Sequence, residues 1–299
     1  MAIAKRHHEL AINPSIGVMV TTGRFDGKVA IITGAGRFGG LGEAMARRLA
    51  SEGASIVLTD KGTVDGDRFP SHGIGTSEEM ERVAESIRSE TRAEVRTQAC
   101  DVRFEEDVER MVANTVAAFG RVDFLVNNAG IGYLMTLIVD TPVDDWDAVL
   151  GVNLKGMFLC TKHVARRLIA QGEGGRVVNI GSQASKSGFA NASAYTSSKH
   201  GVVGFTRSAG LELAPHAITV NAICPNHVTT GLGAWQNSHF SALGGKSVDE
   251  YLDVMKARIP MGRTGTPADI AAACAFLCSS DATYITGEAM NVSGGEEYH

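Results

Sequence analysis

Short apolar runs alternate along the chain with longer segments in which apolar residues recur every three or four positions. Runs of the first kind are typical of β-strands, and segments of the second kind are typical of amphipathic α-helices. Several runs are almost continuously apolar, which indicates parallel strands covered on both faces. We predict strands at Val29–Thr33, Ser55–Asp60, Glu94–Ala99, Val122–Asn127, Arg176–Ile180, Thr219–Ile223 and Ala289–Val292, and helices at about 40–52, 77–90, 105–119, 143–171, 193–213 and 267–279.

This order of elements predicts an α/β fold, with a doubly wound parallel sheet of about seven strands and helices on both faces. Because no Pro/Gly linker divides the chain, we expect a single domain over residues 25–299, preceded by an N-terminal extension at 1–24. Two further segments depart from the pattern, a long loop at 61–75 and residues 229–260. Loops of this length are usually functional or mobile, and we interpret 229–260 as a substrate lid.

Composition narrows the class of protein. Hydrophobic residues make up 44% of the 299 residues and charged residues 20%, as in ordinary soluble globular proteins. The net charge of −5 argues against nucleic acid or an anionic membrane as a partner. Five scattered cysteines without a C-x-x-C motif predict buried thiols in a reducing compartment, the cytoplasm. The nine histidines show no ligand spacing, so no metal site is expected.

A glycine-rich stretch, TGAGRFGGLG, joins the first predicted strand to the first helix. A strand, a glycine turn and a helix together place backbone N–H groups where a pyrophosphate binds. The apolar face of the helix starts at Leu41, and each glycine inside a helix costs up to about 1 kcal/mol relative to alanine. We therefore prefer Gly34, Gly40 and Gly42 as the structural glycines over the literal G-x-G-x-x-G register that starts at the same residue.

Asp60 ends the second predicted strand. A carboxylate at this position accepts hydrogen bonds from the adenosine ribose and repels a 2′-phosphate, which predicts NAD rather than NADP. Arg37, in the middle of the glycine loop, and Lys61 oppose this preference, because either cation is able to meet a phosphate. We expect Arg37 to lie over the phosphates or adenosine of the cofactor, and a solvated loop cation is the alternative.

The stretch VVNIGSQASKSGFANASAYTSSKHG contains the catalytic candidates. Tyr195 and Lys199 are four residues apart in a helical pattern and so share one face, while Ser182 ends a predicted strand. A nearby ammonium favours the phenolate and lowers the tyrosine pKa from about 10. Ser182 is then expected to hold a substrate oxygen while Tyr195 exchanges its proton, as hydride moves to or from a cofactor.

With these residues in place, the chain resembles the short-chain dehydrogenases/reductases of the standard, non-extended type over about residues 25–295. The resemblance implies a Rossmann fold, a nicotinamide cofactor and a homotetramer. It rests on FDGKVAIITGAG with GGLG, Asp60, Asp101, NNAG at 127–130, VNLKG around Asn153, the set Ser182, Tyr195 and Lys199, NAICP at 221–225, and PMGRTGTPADIA with FLCSSDATYITGEAMNVSGG.

The resemblance also implies roles for single residues. Asn153 would support a water-linked proton path to Lys199, which also holds the nicotinamide ribose, and Asp101 would contact the adenine. Val228 would bind the nicotinamide carboxamide through its backbone, with Thr230 near the phosphates. The expected cofactor set is Gly34, Arg37, Gly40, Leu41, Gly42, Asp60, Asp101, Val102, Asn128, Ala129, Gly130, Tyr195, Lys199, Pro225, Val228 and Thr230.

The chain departs from the family pattern in two places. Its glycine loop is two residues longer than the family's T-G-x-x-x-G-x-G, and Pro225 is followed by Asn226 instead of glycine. Asparagine adopts left-handed backbone more readily than most residues, so we expect the turn at Asn226 to be retained. An amide directed at the substrate is the alternative.

The substrate is expected to lie between the predicted lid and the residues that follow Ser182. Glycines of the lid permit closure, and its aromatic residues supply apolar area with polar edges. Packing of these aromatics within the protein or on a neighbouring subunit is an equal alternative. The substrate candidates are Gln183, Phe189, Asn226 and Trp235, with His239 and Phe240 of the lid.

These observations predict an NAD(H)-dependent oxidoreductase that interconverts a small or medium secondary alcohol and its ketone. A lyase or epimerase that retains its cofactor without net redox chemistry is one alternative. A nucleotide-binding regulator without turnover is another, because a fold alone does not establish activity. The complete set of Ser182, Tyr195, Lys199 and Asn153 argues against the regulator.

Overall fold

The computed structural model describes residues 23–66, 74–132 and 135–298, without the side chains at 231–232 and 234–236. These residues form a seven-stranded sheet in which all neighbouring strands are parallel. The strand order is β3-β2-β1-β4-β5-β6-β7, so the predicted doubly wound fold is confirmed. The strands are β1 (Val29–Thr33), β2 (Ser55–Asp60), β3 (Val95–Ala99), β4 (Phe124–Asn127), β5 (Gly175–Ile180), β6 (Ile218–Pro225) and β7 (Ala289–Val292).

Helices cover both faces of the sheet because an amphipathic helix buries its apolar stripe against the strands. Met45 and Ile270 belong to the core on one face, and Met111 and Val164 belong to the core on the other. Among the described residues, no helix is both long and apolar enough to cross a membrane. The helices are α1 (Leu41–Ser51), α2 (Ser77–Thr91), α3 (Glu105–Phe119), α4 (Val143–Leu150), α5 (Met157–Gln171), α6 (Ser193–Leu213), α7 (Gly231–Leu243), α8 (Val248–Arg258) and α9 (Pro267–Cys278).

The helix predicted at 143–171 is interrupted by a π-helical turn at Gly151–Gly156, between α4 and α5. A π-turn widens the helix by one residue and is often found at functional sites. Here it contains Asn153, whose side chain is buried. The periodicity of the apolar residues gave no sign of this interruption.

The predicted lid contains two helices that the sequence pattern did not reveal, α7 and α8. The Thr230 hydroxyl caps the first by accepting a hydrogen bond from Gly233, and Ser247 with Glu250 forms a capping box for the second. These caps stabilise the first turn of each helix. Glycines lower helix propensity at the start of α7, which explains why the helix was missed.

The N-terminus of α2 has one half of a capping box. Thr76 accepts a hydrogen bond from the Glu79 amide at 3.2 Å, but the Glu79 carboxylate accepts from the amide of Phe38 instead of returning to Thr76. Residues 1–22 of the predicted extension and 67–73 of the long loop lie outside the described residues. The ends of that loop meet at a parallel bridge between Gly62 and Thr76.

Candidate active site

The two halves of the sheet meet where β1 lies beside β4, and at this point the chain order reverses. Ligands of open α/β sheets bind at such a point, beyond the carboxyl ends of the strands. The Asn128 side-chain amide donates to the carbonyl oxygens of Thr33 and Gly34 at 2.9 and 2.8 Å. In return, the Thr33 hydroxyl accepts from the amides of Asn128 and Ala129, both at 3.1 Å. These four bonds hold the glycine loop against the loop that follows β4.

The glycine loop begins as predicted with a glycine that no other residue replaces easily. Gly34 has φ +64°, and a Cβ there would lie 2.6 Å from the Ala129 Cα. A Cβ on Gly42 would lie 2.6 Å from the Gly34 carbonyl oxygen. Gly40 is the N-cap of α1, and its Cβ would meet only the Arg37 carbonyl oxygen, at 3.4 Å. The space above Gly40 is therefore open toward a ligand.

Two glycines of the literal register that we set aside are also required. A Cβ on Gly36 would lie 2.8 Å from the Cβ of Asp60, and Gly39 has φ +70°. Our choice of three structural glycines was therefore too narrow, although the predicted start of the helix near Gly40 agrees with α1. The two extra residues of the loop are accommodated by this close contact between Gly36 and Asp60.

Asp60 is held by backbone amides at the end of β2. Its carboxylate accepts from Gly36 at 3.0 Å and from Lys61 at 2.9 Å, and Gly75 supplies a third backbone hydrogen bond. Burial raises the pKa of Asp60, against the opposing effects of these amides and of the Arg37 charge. Three donors directed at one carboxyl group fix its orientation and leave about one of its roughly four acceptor positions, and Asp60 itself lines the cavity.

The long loop after β2 packs against the glycine loop. A Cβ on Gly75 would lie 2.7 Å from the backbone of Gly36, and the Arg82 guanidinium lies 5.5 Å from the centre of the Phe38 ring. Together with the Glu79–Phe38 hydrogen bond, these contacts join the lengthened glycine loop and the long loop at 61–75 at the adenosine end of the site. Arg37 lines the cavity beside them.

Asp101 forms an ion pair with Arg103 close to the same end. The guanidinium Nε lies 2.9 and 3.1 Å from the two carboxylate oxygens. Burial alone would raise the pKa of Asp101, but the hydrogen bonds from Arg103 lower it overall. Both residues line the cavity, so Arg103 is a third cation near the adenosine end that the sequence did not single out.

The three catalytic candidates converge on the same cavity from β5 and α6. The Lys199 ammonium is buried, donates to the Ile180 carbonyl oxygen at 2.8 Å and lies 5.6 Å from the centre of the Tyr195 ring. Burial lowers the pKa of Lys199 to about 8. The Ser182 hydroxyl accepts from the Ala184 amide at 3.1 Å, which orients its oxygen at the end of β5.

Asn153 lies behind the cavity wall. Its Oδ1 accepts a hydrogen bond from the Ile131 backbone amide at 2.8 Å. Its Nδ2 donates to the Ile131 carbonyl oxygen at 3.0 Å and to the Ser198 hydroxyl at 3.1 Å. A Cβ built on Gly130 would lie 3.3 Å from the Asn153 Oδ1 and 3.8 Å from the Lys199 Nζ. Asn153 therefore fixes the loop after β4 on α6 close to the buried ammonium, and its part in a proton path stays a prediction.

A cavity of about 630 Å³ joins the glycine loop to the catalytic residues. Of the predicted residues, Gly42, Asn153 and His239 are not on its wall, and the Trp235 side chain lies outside the described atoms. The predicted residues that line it are Gly34, Arg37, Gly40, Leu41, Asp60, Asp101, Val102, Asn128, Ala129, Gly130, Ser182, Gln183, Phe189, Tyr195, Lys199, Pro225, Asn226, Val228 and Thr230.

The expectation for Asn226 was wrong. Its backbone is not left-handed, and its buried side-chain amide donates to the carboxylate of Glu296. Gln183 is likewise bonded to Glu297 near the C-terminus. Pairing with an acid from a distant part of the chain leaves no local signal in the sequence. The left-handed glycine of the family pattern is therefore not replaced here by an equivalent turn.

The far end of the cavity contains residues that the sequence did not single out. His227, Tyr251, Met255, Arg258 and Glu296 line it, together with the predicted Phe240. Phe240 stacks on Tyr251 with 6.1 Å between the ring centres, so part of the lid packs on itself. Burial lowers the pKa of His227, and its buried Nε2 makes no hydrogen bond with any described residue. Tyr251 and Met255 share one face of α8, a spacing visible only once that helix is recognised.

Outside the cavity, three residues form a cluster with metal-ligand chemistry, although the sequence led us to expect no metal site. Glu105 and Glu109 on α3 meet His163 on α5, with one potential ligand atom of each within 4.8 Å of the others. Histidine spacing did not reveal the group because its members come from two helices. The Lys162 ammonium already pairs with Glu105, so we assign no ion to the cluster.

Comparisons with known proteins agree with this geometry. A family model described as enoyl-(acyl carrier protein) reductase matches residues 34–297. A short-chain dehydrogenase/reductase of Armillaria gallica is 36% identical over 277 residues, which cover 93% of this chain and 98% of that protein.

Solved structures extend the likeness to the fold. An NAD⁺-bound xylitol dehydrogenase has a TM-score of 0.80 at 36% identity, covering 91% of this chain and 99% of that one. An actinorhodin polyketide ketoreductase with NADPH has a TM-score of 0.82 at 36% identity, covering 91% and 98%. The resemblance predicted from the motifs is confirmed, and this chain belongs to the short-chain dehydrogenase/reductase family of oxidoreductases.

Proposed function

We propose that the protein is an NAD(H)-dependent oxidoreductase that interconverts a small or medium secondary alcohol and its ketone. The observation that carries the proposal is one cavity with a dinucleotide-type glycine loop at one end and Ser182, Tyr195 and Lys199 at the other. Its wall combines apolar surface with a few oriented polar groups, as expected of a small-molecule site. Xylitol and polyketide ketones, named for the two similar structures, belong to the same broad substrate class.

The residues present fit a nicotinamide dinucleotide. Gly40 leaves open space at the N-terminus of α1, where backbone N–H groups favour a phosphate. Asp60 would hold the adenosine ribose, and Lys199 the nicotinamide ribose. When bound, such a cofactor supplies or accepts the hydride. One similar structure contains NAD⁺ and another NADPH, so the preference for NAD rests on Asp60.

Tyr195 is the proposed acid and base. In ketone reduction its phenol donates a proton to the carbonyl oxygen, which the Ser182 hydroxyl binds by hydrogen bonding. In the reverse direction the phenolate accepts the alcohol proton. The buried Lys199 ammonium lies 5.6 Å from the centre of the phenol ring, and its positive charge favours the phenolate.

We also propose the state of the protein in the cell. Residues 25–299 are proposed to act as one catalytic domain, and the homotetramer is proposed from the family resemblance. All five cysteines are unpaired and buried, which supports the cytoplasm as the location. The proposed partners are small molecules.

Replacing Tyr195 with phenylalanine tests the proton step. Tyr195→Phe removes one hydroxyl, so NADH affinity measured by fluorescence titration should change less than about twofold. Turnover of a ketone panel, followed at 340 nm, should fall about 10²–10⁴-fold because the acid is lost. Tyr284→Phe, at a fully exposed tyrosine, is the control and should keep full activity. Retained turnover in Tyr195→Phe would exclude this residue as the acid.

The cofactor preference depends on the charge of one carboxylate. Asp60→Asn keeps one acceptor oxygen and places an NH2 group where the second oxygen accepted a backbone amide, a cost shared by both cofactors, and it removes the repulsion of a 2′-phosphate. We expect the ratio of kcat/KM for NADH to that for NADPH to decrease about tenfold, an energy of about 1.4 kcal/mol. An unchanged ratio would show that Asp60 does not discriminate the two cofactors.

The buried charge of Lys199 should reduce stability in the cofactor-free protein. A pKa of about 8 in the folded state, against the ordinary lysine value of 10.5, corresponds to a penalty of about 3 kcal/mol at pH 7. Lys199→Met removes the penalty but leaves the Ile180 carbonyl oxygen without this donor, which costs about 1–2 kcal/mol. The net gain in unfolding free energy should be about 1–2 kcal/mol at pH 7.

The pH dependence follows from the sign of the shift. Between pH 8 and 10.5 the unfolded lysine binds more protons than the folded one, so wild-type stability rises and the gain from Lys199→Met shrinks. Urea unfolding at fixed protomer concentration measures it, with Lys256→Met at an exposed site as the control. A gain independent of pH would contradict a charged, buried Lys199.

A further inference from the structure

The chain after β7 turns back toward the cavity through two glycines. Gly294 has φ +62° and Gly295 has φ +93°, conformations that other residues rarely adopt. A Cβ on Gly294 would lie 2.7 Å from the Ile259 side chain, and one on Gly295 would lie 3.2 Å from the Pro260 ring. The turn is therefore packed tightly on the segment that follows α8.

Hydrogen bonds close this turn. The Ser293 hydroxyl donates to the Glu297 carbonyl oxygen at 3.0 Å and accepts from the Glu297 amide at 3.2 Å. The Met261 amide donates to the Gly294 carbonyl oxygen at 3.1 Å. A turn fixed at both sides positions the residue between them, Glu296, on the cavity wall.

The Glu296 carboxylate has defined partners. One oxygen accepts from the Asn226 side-chain amide, and the other lies 3.3 Å from an Arg258 guanidinium nitrogen. An ionised carboxylate has about four acceptor positions, and the described residues use two of them. The Glu296 side chain is only 15% exposed, so its remaining acceptor positions face a restricted space at the end of the cavity.

Charge at this end selects among ligand types. Arg258 balances Glu296 but is 61% exposed, so the buried member of the pair is the carboxylate. An anionic group on the substrate would meet that carboxylate, which disfavours it. A cation would compete with Arg258. An uncharged hydroxyl fits best, since it donates a hydrogen bond to a carboxylate at little desolvation cost.

Apolar side chains form the rest of this end. Phe189, Phe240 and Met255 line the same cavity as Glu296, and Tyr251 stacks on Phe240. The carbon skeleton of a substrate would pack on these apolar side chains. Glu296 is the acidic residue that lines this end of the cavity. A substrate without a hydroxyl would leave a buried acceptor unpaired, and the free energy lost exceeds what an apolar contact gains. Sites of this kind therefore discriminate strongly in favour of a substrate with the hydroxyl.

We propose that Glu296 is a specificity-determining residue that accepts a hydrogen bond from a second hydroxyl of the substrate. The preferred substrates are then hydroxyketones and the corresponding diols or polyols, rather than plain ketones or keto acids. This inference rests on the proposed oxidoreductase function. Asn226 and Arg258 are positioning residues that orient the carboxylate.

The test compares matched ketones that differ by one hydroxyl. The probes are 2-butanone with 3-hydroxy-2-butanone, cyclohexanone with 2-hydroxycyclohexanone, and 2-pentanone with 5-hydroxy-2-pentanone, and acetoacetate is the anionic probe. Initial rates with NADH give kcat and KM for wild type, Glu296→Gln, Glu296→Met and the control Glu297→Gln. Glu297 bonds to Gln183 and Ser187 and does not line the cavity.

We expect wild type to favour the hydroxylated member of at least one pair by about tenfold or more in kcat/KM. Glu296→Met should remove this preference, and Glu296→Gln, which keeps an amide oxygen as a neutral acceptor, should reduce it, in both cases mainly through a higher KM for the hydroxylated ketone and with a smaller change for the plain ketone. Glu297→Gln should retain the preference. Thermal unfolding of each variant checks that the fold is kept.

Three results would overturn the inference. Equal use of both members of every pair by wild type would do so, as would a preference that survives both Glu296 variants. Better use of acetoacetate than of any hydroxyketone would show that Arg258, not Glu296, selects the substrate. Turnover of plain ketones in these cases would leave the proposed function standing, whereas no turnover of any probe despite NADH binding would contradict the function itself.

Discussion

The site depends on the hydrogen bonds that join β1 to β4 at the reversal of strand order. Four hydrogen bonds cross this point, two between Asn128 and Thr33, one from Asn128 to Gly34 and one from Ala129 to Thr33, and they fix the glycine loop relative to the loop after β4. The same loop is held from behind by Asn153, which also bonds to Ser198 on the helix that contains Tyr195 and Lys199. One continuous set of polar contacts therefore relates the dinucleotide end of the cavity to the proposed proton donor.

Much of the fold was predictable because the strands are buried on both faces and read as continuous apolar runs. Val29–Thr33 and Ser55–Asp60 have the predicted boundaries, and α3 does as well. The π-turn at Gly151–Gly156 was not predictable, since a one-residue widening barely changes the apolar period. Helix α7 was missed because glycines near its start lower the helix propensity of the segment. The Thr230 cap stabilises the first turn of this helix.

Part of the candidate site was also predictable from the sequence, and part was not. Ser182, Tyr195 and Lys199 were predictable because their spacing, strand context and chemistry agree, and all three line one cavity. The role of Gly36 was not, because it depends on contact with Asp60 and with Gly75 from the long loop. Glu296 gave no local signal either, since two left-handed glycines and contacts with residues near 260 bring it to the cavity. Contacts between distant segments decide these positions.

The central claim is that this cavity transfers hydride between a nicotinamide cofactor and a carbinol carbon. Reduction of a ketone with NADH deuterated at C4 of the nicotinamide tests it most directly, with the product alcohol analysed by NMR and mass spectrometry. The account predicts one deuterium at the carbinol carbon for each NADH consumed, when the deuterium occupies the transferred position of C4. Two results would contradict the account. One is alcohol that carries no deuterium at the carbinol carbon with either diastereomer of the labelled cofactor, and the other is alcohol formed without consumption of NADH.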